Sequence, residues 1–276
     1  MLPEQRRTRV AQLVRSRGAM RVTEISDELE VSPMTIRRDL ELLDRDGVLH
    51  RVHGGATVAS PPEALEEHRA DDHSEEPAFQ EKRRLEGAAK RAIARQGLRH
   101  IRAGMTIALS AGTTTFALAR ELAGFADITV VTNSTDAANV LFDTLPASSL
   151  VVLTGGVRTP SHALVGPIAE ASLKELQVDI VFHGFHGMDP QSGFTCPNLA
   201  EVSTAQTMIA SGDRLIVLAD HSKFGVRALA KVTDLSSAST LITDSRITAA
   251  QLDDLRRRIP SVEVVDPDEG DPPDEG

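Results

Sequence analysis

The first 58 residues carry their apolar positions at helical spacing. Val10, Leu13 and Val14 fall at i, i+3 and i+4, one face of a helix that ends near Gly18. Ile25 and Leu29 mark a second, short helix. In VSPMTIRRDLELLDRDG, Ile36, Leu40 and Leu43 form an inward stripe. Ser32 stands where a cap accepts first-turn N–H groups, and Pro33 where a missing N–H costs nothing. At ~100° per residue, Met34 and Arg38 point away from the stripe, with Thr35 and Arg37 on its flanks. Gly47 ends the helix. VLHRVHGGATV then alternates around a Gly-Gly pair, the pattern of a small hairpin. Two short helices, a capped third helix with outward arginines and a hairpin predict a winged helix-turn-helix over 1–58.

The pattern then changes twice. Residues 59–76, ASPPEALEEHRADDHSEE, are rich in proline and acid without apolar periodicity, which predicts an acidic, Pro-containing linker. From 77 to 266, after a helix around 78–98, seven apolar runs of strand length follow: TIALS, ITVVT, SLVVLT, DIVFHG, RLIVLA, STLIT and VEVV. Helical segments separate most of them. Strands alternating with helices predict βαβ units and a mainly parallel sheet buried on both faces. The last stretch, PDEGDPPDEG over 267–276, reads as a disordered acidic tail.

Ligands of such sheets collect beyond the C-terminal strand ends, and the candidate chemistry sits there. Ser110 precedes AGTTTFALA, where Gly112, Thr113, Thr114 and Thr115 stand between a strand and a helix. Free N–H groups at that terminus attract an anion and threonine hydroxyls add hydrogen bonds, although threonine also serves as an ordinary cap. No Gly-Lys-Ser/Thr follows, so this is not a Walker A loop. Asn133 and Ser134 can bind sugar hydroxyls or cap the next helix. Gly156 and Arg158, in TGGVR, can admit a ligand and grip phosphate, or make a plain turn with a surface arginine. Lys223 follows an apolar strand in ADHSKFG and offers a charge to an anion. Glu201 can bind hydroxyls or complement a helix dipole.

Composition narrows the classes. The chain has 276 residues, one cysteine (Cys196), no Trp and no Tyr, so its core is aliphatic with a few Phe and it holds no intrachain disulfide. No stretch reaches the ~18 apolar residues of a membrane helix, and no apolar segment follows the N-terminal charges; a cytoplasmic protein is expected. The net charge of −10 is concentrated. Residues 59–86 hold nine acidic and four basic residues, and 263–276 hold seven acidic and no basic ones. Beyond a Debye length of ~8 Å these are largely screened, so the global charge does not exclude DNA. His183, His186 and His221 lack a zinc-type spacing with cysteine, and neither a metal nor a cofactor is expected. Asp220, His221 and Ser222 are adjacent loop residues, which cannot make a base–nucleophile line. Cys196, beside Pro197, is read as a partly buried thiol.

A helix with small and basic residues at its N-terminal end suits the major groove. Arginine pairs bidentately with guanine, and Ser or Thr serves bases or phosphates. VSPMTIRRDLELLDRDGVLHRVHGGA closely resembles the signature of DeoR-family bacterial transcriptional regulators. The resemblance implies double-stranded operator DNA as partner, with Ser32, Thr35, Arg37 and Arg38 on the recognition helix. It implies Arg51, His53 and Gly54 in a wing near the phosphate backbone.

The second half resembles the sensor domain of the same family over most of 77–245, through AGTTT, VVTNS, LTGGVR, DIVFHGFHGMD, GFT with Glu201, and LADHSKFG. That domain is related to the ribose-5-phosphate isomerase fold. The resemblance implies a phosphorylated sugar or related metabolite bound by Ser110, Gly112–Thr115, Asn133, Ser134, Gly156, Arg158, Glu201 and Lys223. Two departures stand out: Ser110 replaces the family's usual Asp, and Ala205 stands where a basic residue is common. The expected function is a ligand-responsive regulator, a repressor rather than an enzyme, working as a homo-oligomer, dimer or tetramer, away from membranes. The alternative is a sugar-phosphate isomerase or hydrolase fused to a DNA-binding module, with Lys223 and Glu201 as its polar pair.

Overall fold

The computed structural model describes residues 3–17, 19–29, 31–45, 49–52, 55–58 and 87–267. The linker at 59–76 and nearly all of the 267–276 tail lie outside the described residues. The chain divides into two compact units, Met1–Asp72 and His73–Gly276.

The first unit contains helices α1 (Pro3–Arg17), α2 (Val22–Leu29) and α3 (Pro33–Arg45), with strands β1 (Ala19–Arg21), β2 (Leu49–Val52) and β3 (Gly55–Val58). β3 lies between β1 and β2, antiparallel to both. β1 escapes the sequence reading, because three residues show no alternation. The inward stripe is as expected: Ile36, Leu40 and Leu43 of α3 pack with Val10, Leu13 and Val14 of α1 and Ile25 of α2. Each such buried side chain contributes about 1.5–3 kcal/mol of transfer free energy.

The second unit opens with α4 (Gly87–Leu98), followed by β4 (Thr106–Leu109), α5 (Thr113–Glu121), β5 (Thr129–Thr132), α6 (Thr135–Thr144) and β6 (Leu150–Leu153). The short strands β7 (Val157–Arg158) and β8 (Leu164–Val165) lead to α7 (Pro167–Lys174). Then come β9 (Val178–His183), β10 (Gly187–Asp189), β11 (Gly193–Cys196), α8 (Leu199–Ala210), β12 (Gly212–Leu218) and β13 (Ala230–Thr233). β14 (Thr240–Asp244), α9 (Ala249–Arg256) and β15 (Ser261–Val265) close the unit.

The seven apolar runs become one parallel sheet in the order β15-β14-β12-β9-β4-β5-β6. Side chains alternate between its two covered faces. Ile107, Leu109, Phe182 and Ile216 pack with Leu118 of α5 and Leu141 of α6. Ala108, Val181, Val217 and Leu241 pack with Met208 of α8 and Leu255 of α9. The order reverses at β4: β5 and β6 extend on one side, and β9, β12, β14 and β15 on the other. A reversal splays the connections above the strand ends and leaves a crevice between β4 and β9. Among the described residues, no helix is long and apolar enough to cross a membrane.

Candidate functional site

A cavity of about 170 Å³ occupies that crevice. Its floor is built by the turn after β4. The Ser110 N–H donates to the Phe182 carbonyl (3.1 Å), and the Ser110 hydroxyl accepts the Gly184 N–H (3.2 Å), joining the ends of β4 and β9. Asn133 fixes the same turn from β5. Its Oδ1 accepts the Ala111 N–H (2.9 Å) and its Nδ2 donates to the Leu164 carbonyl (3.2 Å). Ser110 and Asn133 are both buried. They line the cavity while their polar groups hold backbone.

The turn delivers the chain into α5. Gly112 takes the cap position and no side chain caps the helix. Thr113 and Thr114 line the cavity, so the unpaired donors of a first helical turn lie at its wall. By contrast, Ser134 caps α6 by accepting the Ala137 N–H (3.1 Å), and Asn198 caps α8 by accepting the Ala200 N–H (3.0 Å). Lys223 enters from the 3-10 turn His221–Lys223, which Asp220 caps through the Ser222 N–H (3.1 Å). Lys223 lines the cavity half-buried. First-turn amides and an ammonium group make this wall electropositive.

The lining is acidic at one point. Glu201, on the first turn of α8, lines the cavity. Its Oε1 accepts from the Ser161 hydroxyl and from Asn198 Nδ2 (3.2 Å), and its Oε2 lies 3.7 Å from Cys196 Sγ. Among the described lining residues it is the carboxylate, and both oxygens have partners. Phe185, Met208, Leu218 and Val232 add apolar and aromatic surface to the lining, and His183 and His186 add imidazoles.

Four residues read as effector ligands do not line this cavity. Thr115 is fully buried, with its hydroxyl turned back to the Gly112 carbonyl (3.1 Å). Ser134 is spent as the cap of α6. Gly156 has φ +117°, and a Cβ there would sit 2.6 Å from the Val165 carbonyl oxygen, so close approach of β7 to β8 demands glycine. Arg158 lies on β7, where both residues face solvent. The sequence reading missed His183, Phe185 and Ser161 as lining residues. Among the described residues no cluster of three or more His, Cys, Asp or Glu is able to hold a metal ion.

His183 is the unusual member. It is buried, stacks on Phe185 at 4.3 Å between ring centroids, and Phe185 stacks on Phe194 at 4.5 Å. Its Nδ1 has no hydrogen-bond partner. Burial pushes its pKa down to about 4 against a smaller opposing pull from the Gly184 backbone. The ring is therefore neutral near pH 7.

The winged unit presents a different surface. The Ser32 hydroxyl accepts the Thr35 N–H (3.2 Å) and lies 2.8 Å from the Thr35 hydroxyl, capping α3 as expected. Arg37 and Arg38 are exposed, and neither has an ion pair or hydrogen bond among the described residues. Their neighbour Asp39 is buried and pairs with Arg6 of α1 at 2.5 Å, which raises the Arg6 pKa and locks α3 to α1. Arg51 lies in β2. Its side chain, with His53 and Gly54, is outside the described residues.

Comparisons with known proteins agree with both halves. Residues 6–61 match the DeoR-like helix-turn-helix domain, and residues 86–245 match the DeoR C-terminal sensor domain. The HTH-type transcriptional regulator GlpR of Haloferax volcanii is 35% identical over 96% of this chain and 98% of its own length. The putative aga operon transcriptional repressor of Escherichia coli O157:H7 is 31% identical over 95% of this chain and 93% of its own. A solved D-ribose-5-phosphate isomerase in complex with phospho-erythronic acid aligns over 50% of this chain and 54% of its own, at 20% identity and a TM-score of 0.37. The matching relatives are named as regulators along nearly their whole length, and this chain, with its winged helix-turn-helix and its α/β sensor unit, belongs to the DeoR family of DNA-binding transcriptional regulators.

Proposed function

We propose that a phosphorylated sugar or closely related polyol phosphate binds in the cavity at the β4–β9 crevice and changes the affinity of the winged heads for operator DNA. One observation carries this reading: α5 begins at the cavity wall without a side-chain cap, with Thr113, Thr114 and Lys223 on the same cavity. Backbone donors and a compact cation suit a phosphate dianion. Hydroxyl and carboxylate groups of Ser161 and Glu201 in the same lining suit a polyol. Repression is the sign carried by the name of the aga operon relative, and a role at operator DNA supports a cytoplasmic location.

The heads work in pairs. One winged module buries only about 600–1,000 Å² on DNA, and two heads on repeated half-sites gain affinity and specificity together. A second copy of this chain has a surface to meet. β6 is an edge strand of the sheet among the described residues, and Leu150 and Leu153 on it are 57% and 41% exposed. Apolar, uncharged edges are sites of strand pairing. A dimer, or a tetramer built from dimers, follows.

The test uses operator duplexes selected from random sequence by the full-length protein. Fluorescence anisotropy is then read with and without glycerol 3-phosphate, ribose 5-phosphate, fructose 1-phosphate, galactosamine 6-phosphate and their unphosphorylated counterparts. A shift in operator affinity by at least one phosphorylated compound, absent with its counterpart, supports the reading. No shift with any of them, together with turnover of one, favours the isomerase alternative.

A further inference from the structure

Phosphate recognition uses the cationic groups of the cavity and leaves its carboxylate without a counter-charge. Glu201 stands in the first turn of α8, where a negative side chain is favoured. It is half-buried and lines the cavity, as do its neighbours Ser161 and Cys196. None of the described residues forms an ion pair with it, Lys223 included. One turn further along the same face of α8 the lining residue is Ala205, which brings no charge. The contacts of Glu201 also fix where the protons point. A carboxylate only accepts, so Ser161 spends its one hydroxyl proton on Oε1. The Thr159 hydroxyl, 2.7 Å from Ser161 Oγ, then donates to Ser161, and it accepts the Ala163 N–H (3.3 Å) in turn. Oε1 takes a second donor from Asn198 Nδ2. Among the described residues Oε2 has the Cys196 thiol alone, a weak donor at 3.7 Å.

Resting on the reading above, we infer that the effector carries a protonated amine as well as a phosphate, so that the site selects phosphorylated amino sugars over sugar phosphates of the same shape. Glu201 and Ser161 offer a ligand lone pairs and no proton: those left on Oε2, and the second lone pair of Ser161 Oγ. An ammonium group, with three donors and no acceptor, matches them. A hydroxyl brings one proton and sets its own lone pairs against the acceptors that remain. It also leaves the carboxylate charge unpaired in a lining rich in apolar side chains, where opposite charges attract more strongly than in bulk water. The lining thus carries the charges of a zwitterion in reverse: Lys223 and the α5 N-terminus for the phosphate, Glu201 for the amine.

Matched ligands test this directly. Titration calorimetry on the full-length protein is run at about pH 6.5, below the pKa of an ordinary amine next to a carbon skeleton of this kind. The probes are galactosamine 6-phosphate and glucosamine 6-phosphate, their N-acetylated forms, and galactose 6-phosphate and glucose 6-phosphate, in which a hydroxyl replaces the amine. The proteins are the parent and Glu201→Gln, which keeps the shape of the side chain and removes its charge. The expected result is that at least one amino sugar phosphate binds the parent roughly 10-fold or more tightly than its hydroxyl and N-acetyl counterparts, the range of a hydrogen bond to a charged group. In Glu201→Gln, with an unaltered melting temperature, that ratio falls toward one. Hydroxyl or N-acetyl compounds that bind the parent as tightly as the amines overturn this inference and leave the proposed function standing. A folded Glu201→Gln that keeps the full preference overturns it as well, because the amine is then read elsewhere. If Glu201→Gln does not fold, the parent's ratio decides alone. Absence of binding by the parent to every phosphorylated compound, with or without an amine, overturns this inference and the proposed function together.

Discussion

At the scale of single residues, the structure separates side chains that hold the fold from side chains that are free to act. Arg37 and Arg38 are exposed neighbours of Asp39, whose carboxylate is already committed to Arg6. Replacing by alanine whichever arginine faces a base lowers operator affinity by ~1–3 kcal/mol and relaxes specificity at that base pair. Replacing one that faces phosphate weakens all duplexes alike and reduces the slope of log affinity against log salt by about one. Anisotropy across a salt series on operator and scrambled duplexes reads both; a folded double variant with full operator affinity refutes the recognition-helix assignment. His183 makes a prediction of its own. Its folded pKa of about 4 lies below the ~6.5 of a free imidazole. Between those values the unfolded chain takes up a proton that the folded chain refuses, so stability falls as pH drops through this window, and the loss is complete below the folded value. The full effect is about 3 kcal/mol at ~1.4 kcal/mol per unit. Urea unfolding of parent and His183→Phe between pH 7.5 and 4.5 isolates it: the parent loses more stability than the variant as pH falls, and parallel curves contradict the neutral, buried state.

At the scale of elements, every strand of the large sheet is legible as an apolar run; the inner strands are so because a parallel strand buried on both faces has no polar side to interrupt it, while the edge strands β6 and β15 keep apolar runs although they are only partly buried. The short strands β7, β8, β10, β11 and β13 are not legible. They hold two to four residues each, too few for a period, and their pairing is decided by neighbours distant in sequence. The same division runs through the cavity. The uncapped start of α5 announces itself as Gly112 followed by threonines, whereas His183 hides at the end of an apolar run and becomes informative only once its burial and missing partner are seen. Arg158 and Gly156 mislead for the opposite reason: a Gly-Gly-x-Arg string looks like an anion loop, but the β7–β8 pairing turns the arginine to solvent and uses the glycine for clearance. Gly156→Ala accordingly destabilises the sensor unit by more than 1 kcal/mol, since it forces a Cβ onto the Val165 carbonyl at positive φ. Thermal unfolding checks this, and a variant as stable as the parent removes the packing account. Thr114→Val, at the α5 terminus, weakens phosphorylated ligands more than their unphosphorylated counterparts in calorimetry.

At the scale of the whole molecule, ligand-controlled binding by paired heads requires more than one copy and more than one state. Sedimentation velocity at micromolar concentration gives a dimer or larger, and Leu153→Lys, which puts a charge on the exposed edge of β6, shifts it toward monomer. A monomeric parent that still binds operator tightly contradicts the paired-head account. Regulation also requires the effector to bind the DNA-competent and DNA-released states with different strength, because equal affinity shifts nothing. The most direct test of this coupling is operator affinity of Lys223→Ala, measured by anisotropy with and without the phosphorylated sugar that shifts the parent. The expected result is an operator affinity close to the parent's without the sugar and no change on adding it. A Lys223→Ala protein that responds to the sugar as the parent does would place the effector outside this cavity and contradict the account at its centre.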